Sequence, residues 1–292
     1  MNFTKPTVIL VAGPTAVGKT RKAIELALQY QTEIISADSR QCYREMNIGV
    51  ARPTPEELAT VPHHFIASHS IHDNLNAAWY EKYALEKVIE LFTRHTVVVM
   101  VGGTGLYIKA FMEGLDEIPE TDPVIRAAII HDYEEKGLSW LQEEVKQNDP
   151  MFFAQGENQN PHRLMRALEV VRSTGKSILT FRKGEKAIRS FDMKLMVMDL
   201  PRPQLYERID QRVDEMVRSG LEEEARRLYP FRHLSALQTV GYQEWFDYFE
   251  GKISREEAIA LIKQHTRNYA KRQGTWFRKM GGETPHASRL IS

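Results

Sequence analysis

The segment Thr7–Thr20, TVILVAGPTAVGKT, constrains this chain more than any other. Thr7–Ala12 is a continuous run of β-branched and apolar residues, the pattern of a strand buried on both faces of a parallel sheet. It leads directly into Gly13-Pro14-Thr15-Ala16-Val17-Gly18-Lys19-Thr20, a complete G-x-x-x-x-G-K-[ST]. The stretch that follows, Thr20–Tyr30, carries Ala23, Ile24, Ala27 and Leu28 at helical spacing. Strand, glycine-rich turn and helix in this order make a phosphate-binding loop. The glycines let the backbone wrap an anion, and the loop N–H groups with the helix N-terminus supply positive potential. Lys19 adds a point charge, and the Thr20 hydroxyl can reach Mg²⁺. Gly13 through Thr20 are therefore assigned to a bound di- or triphosphate, without selecting ATP.

The rest of the first third continues the alternation. Glu33–Ser36 reads as a second short strand, Ala77–Phe92 as a helix and Thr96–Val101 as another buried strand. The fold class expected is α/β, a P-loop NTPase-like parallel sheet core. After Gly114 the pattern becomes helical from Asp122 to Arg172, with Pro123, Pro150 and Pro161 at places where helices begin. Strand character returns at Lys194–Leu200, and the chain from Pro203 to about Met280 reads as helix. The domain reading is thus a core of residues 1–114 plus about 191–292, carrying the C-terminal helices, with an inserted helical domain at about 115–190. Arg182–Ser190 reads as a mobile polar connection.

Composition sets limits on function. Apolar residues at 42% and charged residues at 27% match an ordinary globular chain, and the formal net charge is zero. Any nucleic-acid contact must then come from local clusters of cations. A single cysteine, Cys42, excludes a disulfide framework and a cysteine zinc site within the chain. The ten histidines form no convincing ligand set, and the methionines of Met193–Met198 read as core. The apolar run near the N-terminus is too short for a signal peptide or a membrane span, so a cytoplasmic protein without a membrane partner is expected.

A P-loop phosphotransferase ordinarily ends a neighbouring strand in a metal-holding acid. Here Thr96–Val101 ends in Gly102-Gly103-Thr104-Gly105, which has a hydroxyl and no acid. The acid is Asp38, in Ser36-Ala37-Asp38-Ser39-Arg40-Gln41, at the carboxyl end of the second strand, the edge where ligands sit in open α/β sheets. The competing reading of Asp38 is a turn or cap aspartate.

Two segments could meet a polyanion. In the helix after Pro161, Arg163 and Arg166 share a face, while Leu164, Leu168 and Val171 line another. Between Lys263 and Lys279 lie six Lys and Arg residues and no acid. Lys263, Arg267, Lys271 and Arg278 fall in one sector, with Arg272 beside them, and Ile262, Tyr269 and Trp276 lie on a different side. A solvated helix face is the competing reading; the lack of balancing acids favours phosphate contacts.

Taken together, GPTAVGKT, SADSRQCY with IGVARPT, VGGTGLYIKA, NPHRLMRALEVV, QTVGYQE and TRNYAKRQGTWFR resemble, in that order, the tRNA dimethylallyltransferase (isopentenyltransferase) family. The resemblance spans residues 13 to about 278. It implies that the loop holds the diphosphate of dimethylallyl diphosphate, with Mg²⁺ as cofactor, and that Asp38 is the general base for the adenosine amine. It further implies that Thr104 and Arg126 contact the leaving diphosphate. Asp38, Ser39, Arg40 and Gln41, together with His162, Arg163, Leu164, Met165 and Arg166, match tRNA-contacting segments. The implied reaction is dimethylallyl transfer to N6 of the adenosine 3′ to the anticodon, with the anticodon stem-loop of tRNA as partner; a monomer is expected, although the sequence does not fix the oligomeric state. This chain departs from the family pattern at His63-His64-Phe65-Ile66-Ala67, where an aspartate commonly follows the His pair, and at Trp79-Tyr80, where Asp-Phe is usual.

The chemistry agrees with the resemblance. No D-D-x-x-D metal site of ordinary prenyltransferases is present, so a leaving diphosphate needs other cations, which Lys19 and Arg126 can supply. A carboxylate that accepts the proton helps a weakly nucleophilic amine. A P-loop small-molecule or nucleoside kinase is the rival reading, an adenylate isopentenyltransferase acting on free nucleotides a nearer one, and a non-enzymatic RNA-binding protein a third.

Overall fold

The computed structural model describes residues 3–156 and 158–281. From the N-terminus, β1 (Thr7–Ala12) leads to α1 (Lys19–Tyr30) and β2 (Ile34–Ser36). Then come α2 (Pro55–Thr60), the two-residue β3 (His63–His64), α3 (Ala77–Phe92), β4 (Val97–Gly102) and α4 (Gly105–Glu113). The helices α5 (Pro123–Asn148), α6 (Pro150–Ala154) and α7 (Pro161–Thr174) precede β5 (Asp192–Val197). The chain closes with α8 (Arg202–Arg218), α9 (Leu221–Leu228), α10 (Gln243–Phe249) and α11 (Arg255–Met280).

The strands form one parallel sheet in the order β3-β2-β4-β1-β5. The centre is β1, with Thr7 opposite Val97 of β4 and Asp192 of β5. Because side chains alternate along a strand, β1 feeds two cores. Val8, Leu10 and Ala12 pack with Tyr80, Ala84 and Leu91 of α3, and with Trp245 and Phe277 of the C-terminal helices. Ile9 and Val11 pack with Ala23, Leu26 and Ala27 of α1. All six residues of β1 and of β4 are buried, which is why both read as unbroken apolar runs.

Three elements differ from the sequence reading or were absent from it. The last strand lies at Asp192–Val197 rather than Lys194–Leu200, because pairing in register with β1 starts at Thr7 and the chain turns toward α8 after Val197. The pair His63–His64 forms a short edge strand that no periodicity announced. The C-terminal helical run is interrupted between Tyr229 and Tyr242 by a short 3₁₀ turn and by turns ending at Gly241, whose φ of 95° is left-handed.

By contacts the chain divides into two compact units, residues 3–112 with 188–281 and residues 113–187. The second has its own core of Ile129, Leu141, Val145, Leu164, Leu168 and Ile178. Each of its helices starts at a proline preceded by an Asx cap. Asp122 accepts from the Val124 amide, Asp149 from Phe152, and Asn160 from His162 and Arg163. Asp149 is buried and also accepts from Ser177 Oγ at 2.9 Å, so one carboxylate starts α6 and anchors the chain after α7.

Leu10 is wholly buried in the strand that carries the phosphate loop. Leu10→Ala is expected to cost about 2–5 kcal/mol, measured by equilibrium denaturant unfolding.

Candidate active site

Three turns meet at the carboxyl edge of the sheet, each leaving a different strand. The first leaves β1. Gly13 lies so close to β5 that a Cβ would come within 2.5 Å of the Met198 carbonyl oxygen. Gly18, at φ 100°, opens α1. Lys19 folds back over the loop and donates from Nζ to the Pro14 carbonyl at 2.7 Å. Burial pulls its ammonium down to about 8, against the Asp38 charge, which raises it; the Arg212 charge acts with burial.

The second turn leaves β2 and carries Asp38. Its Oδ1 accepts from the amides of Arg40 at 2.9 Å and Gln41 at 3.2 Å, so one carboxylate oxygen is spent on holding the turn. The third leaves β4. The Thr104 hydroxyl accepts from the Ser39 amide at 3.0 Å and donates to Ser39 Oγ at 3.2 Å, and the Thr104 amide donates to the Ala37 carbonyl at 3.2 Å. A side chain at Gly102 would collide with the Ala37 backbone. Gly102 therefore lets the segment before Asp38 approach the end of β4, while Gly103 and Gly105 leave room for Gln273 and Trp276 of α11.

Two C-terminal helices complete the site, and sequence reading missed their contributions. Gln273 of α11 accepts from the Thr15 amide through Oε1 at 2.9 Å and donates from Nε2 to the Gly103 carbonyl at 2.9 Å. Arg212 of α8 donates from Nη1 to Thr15 Oγ1 at 3.3 Å, placing a second cation at the phosphate loop. Tyr269 of α11 joins them; burial, reinforced by the Asp38 charge, pushes its hydroxyl up to about 12. Arg212 sits among alternating charges on a helix, and Gln273, though within TRNYAKRQGTWFR, is a neutral residue with nothing local to mark its contact with the phosphate loop. The resulting cleft is about 950 Å³, and Lys19, Thr20, Asp38, Arg40, Gln41 and Arg212 all line it.

Arg126, His162, Arg163, Leu164, Met165 and Arg166 belong to the unit of residues 113–187. Arg126 Nε stands 3.7 Å from the buried Glu169, and Arg166 Nη1 donates to Glu169 at 3.1 Å and to Thr121 Oγ1 at 3.0 Å. Leu164 is wholly buried, so its side chain serves that unit's core, whereas His162 and Arg163 are exposed. On α11 the expectation of a basic stripe without balancing acids is corrected. The acids come from α8, Asp214 to Lys263 and Asp210 to Arg267, both at 2.6 Å. Lys271 and Arg272 are exposed, with the Arg272 guanidinium 5.8 Å from the Tyr269 ring centre.

Where the sequence departs from the family pattern, an aromatic cluster forms. Phe65 packs against Trp79, Tyr80 and Tyr83, and Tyr80 donates to the Ser36 carbonyl at 2.9 Å, bracing the end of β2 from behind. Among the described residues, no group of three or more His, Cys, Asp or Glu could hold a metal, and no helix is long and apolar enough to cross a membrane.

The position of Lys19 fixes a pH dependence. Its ammonium is charged below about 8 and neutral above, and an anion binds the charged form. The advantage in affinity for inorganic diphosphate that Lys19 confers over alanine should be constant below that pH and shrink by up to about tenfold per unit above it. Calorimetric titration between pH 6.5 and 9.5 (roughly 1.5 units either side of the Lys19 value) should show this fall as a difference between the wild-type chain and Lys19→Ala.

Comparison with known proteins agrees with this geometry. The family profile described as IPP transferase matches residues 41–280. The chain is 50% identical over 271 residues to the tRNA dimethylallyltransferase of Christiangramia forsetii, covering 93% of this chain and 90% of that protein. It is 46% identical over 279 residues to the tRNA dimethylallyltransferase of Cytophaga hutchinsonii, covering 96% and 92%. Among solved structures, the tRNA isopentenylpyrophosphate transferase of Bacillus halodurans superposes with a TM-score of 0.68 at 36% identity, over 94% of this chain and 87% of that one. The one from Staphylococcus epidermidis gives 0.68 at 32% identity, over 96% and 92%. With the profile spanning most of the chain and relatives this similar over nearly their whole length, the chain belongs to the IPP transferase family.

Proposed function

We propose that this chain transfers a dimethylallyl group from dimethylallyl diphosphate to an adenosine of tRNA near the anticodon, at N6 of the nucleoside 3′ to it, and releases diphosphate. The observation that carries the reading is a phosphate loop and an aspartate opening on one cleft, close enough for the Asp38 charge to act on Lys19. A carboxylate there suits an amine acceptor. The carboxyl end of β4 is Gly102 rather than an acid, which sets the site apart from that of a phosphoryl-transfer enzyme.

In this reading the loop N–H groups, Lys19 and Arg212 take up the charge of the departing diphosphate. The C–O bond breaks with its electron pair on the diphosphate oxygen, and the allylic carbon becomes cation-like. Stabilising the departing charge is where rate is gained. The N6 lone pair forms the new N–C bond, and Asp38 accepts the amine proton through the oxygen not used to hold its turn. A Mg²⁺ ion fits the donor set as it stands, because this ion takes few protein ligands and completes its shell with water and substrate phosphates. The Thr20 hydroxyl is the group that would hold it. When bound it supplies further positive charge to the diphosphate.

For tRNA, the exposed His162 and Arg163 at the start of α7, and Lys271 and Arg272 on α11, are the groups the reading assigns to the phosphate backbone. Arg267 is already committed to Asp210. Replacing Lys271 and Arg272 with alanine should weaken tRNA binding and flatten the log–log salt dependence by about 0.7–0.9 per lost contact. An unchanged slope assigns both residues to the solvated surface.

The decisive experiment is mass analysis of unmodified tRNA after incubation with protein, Mg²⁺ and dimethylallyl diphosphate without ATP. A mass gain of one dimethylallyl group on the adenosine beside the anticodon is expected; unmodified tRNA, with phosphate transfer from ATP to a small acceptor, would reject the reading. Lys19→Ala should lower the transfer rate by about 10²–10³. Asp38→Asn keeps an oxygen for the Arg40 and Gln41 amides, so the turn survives while the base is lost. Transfer should fall by about 10²–10⁴ with donor affinity retained. Loss of donor affinity in parallel, partly restored by raised Mg²⁺, would make Asp38 a metal ligand instead.

A further inference from the structure

One wall of the cleft that Asp38 lines is an irregular turn, residues 47–51, and one buried carboxylate gathers its first three amides. Glu224 on α9 is 2% exposed. Its Oε2 accepts from the amides of Asn47 at 3.1 Å and Ile48 at 2.9 Å; its Oε1 accepts from the Gly49 amide at 2.9 Å and from Tyr242 Oη at 2.7 Å. Three successive backbone N–H groups converging on one anion form a nest, and here the chain supplies the anion itself. Every partner is a donor, so an acceptor-only carboxylate satisfies the shell, whereas an amide would set N–H against N–H. Gly49 lies against Tyr242 so tightly that a Cβ would come within 2.6 Å of Tyr242 Oη.

The opposite side of the turn reaches the site. The carbonyls of Val50 and Ala51 accept from Gln41 Nε2 at 3.2 and 2.9 Å, and the Gln41 amide donates to Asp38 Oδ1 at 3.2 Å. Hydrogen bonds joined by the covalent turn and by Gln41 thus lead from Glu224 to the aspartate. The phosphate loop is held separately, by Gln273 and Arg212.

We infer that Glu224 is a positioning residue for the transfer step: it sets where the Asp38 carboxylate stands without touching either substrate. This rests on the reading of Asp38 as the base. A displacement of about 1 Å at a reacting group can cost about 10²-fold in rate, while a donor site built from other elements keeps its affinity.

The test is single-turnover transfer at saturating dimethylallyl diphosphate and tRNA, with donor affinity and melting temperature measured alongside, for Glu224→Gln, Gly49→Ala and Tyr242→Phe. Glu224→Gln and Gly49→Ala should slow transfer by about 10–100-fold. Tyr242→Phe, which leaves the three backbone bonds, should slow it by less than about tenfold. Donor affinity should stay within about twofold throughout, and adding Glu224→Gln to Asp38→Asn should slow transfer by less than about twofold more, because both act on one group. A folded Glu224→Gln with the wild-type rate, a loss of donor affinity in proportion to rate, or an undiminished penalty on top of Asp38→Asn each overturns the inference. If Glu224→Gln does not fold, Gly49→Ala decides by the same criteria, and a loss beyond about tenfold in Tyr242→Phe counts against the inference. Wild type and Asp38→Asn in the same assay separate the two levels. A wild type that leaves tRNA unmodified removes the functional reading, whereas an active wild type indifferent to Glu224 removes only this inference.

Discussion

The separation between the phosphate loop and Asp38 is fixed by backbone hydrogen bonding before any side chain acts. The loop leaves β1 and the Asp38 turn leaves β2, with β4 between them. At about 4.7–4.9 Å per strand, two spacings put the turns about 10 Å apart. The middle strand must then end in something that neither fills that gap nor lets it drift. Gly102 and Gly103 let Ala37 and Gln273 close in on it, Thr104 ties its turn to Ser39, and Gln273 ties it to Thr15. A strand-end carboxylate at this point would have placed negative charge midway between the cations and the base.

How much of this could be read from the sequence follows the range of each interaction. The phosphate loop was legible because its mechanism is local: glycines, a lysine and a hydroxyl within eight successive positions. The starts of α5, α6 and α7 were legible for the same reason, as each Asx-Pro pair caps its own helix. Arg212 and Gln273 were not, because they reach a loop 197 and 258 residues away in the chain, and only the folded sheet brings helix and loop together. The α11 stripe misled in the opposite direction. A helix read alone shows the charges it carries and not those it packs against, and Asp210 and Asp214 of α8 changed the balance.

Several polar choices here serve geometry rather than stability. A buried carboxylate costs free energy unless its oxygens are satisfied. Glu224 meets that condition with four donors, and Glu244 with the Gly241 amide at 2.8 Å and His265 Nδ1 at 2.7 Å. Both therefore hold irregular backbone that lines the cleft, residues 47–51 and the turn at Gly241. Where no helix or strand ladder can fix a segment, an acceptor reached by several amides does so in a few atoms.

The hydrogen bond from Lys19 to the Pro14 carbonyl has a consequence for what the loop will accept. An anion that recruits the ammonium must outcompete a carbonyl already in place, so binding is an exchange of one acceptor for another. An anion that draws the ammonium away also frees the proline carbonyl, and a multiply charged diphosphate can meet the ammonium, Arg212 and the loop amides at once. The contact the chain makes with itself thus keeps the lysine over the loop until an anion takes its place.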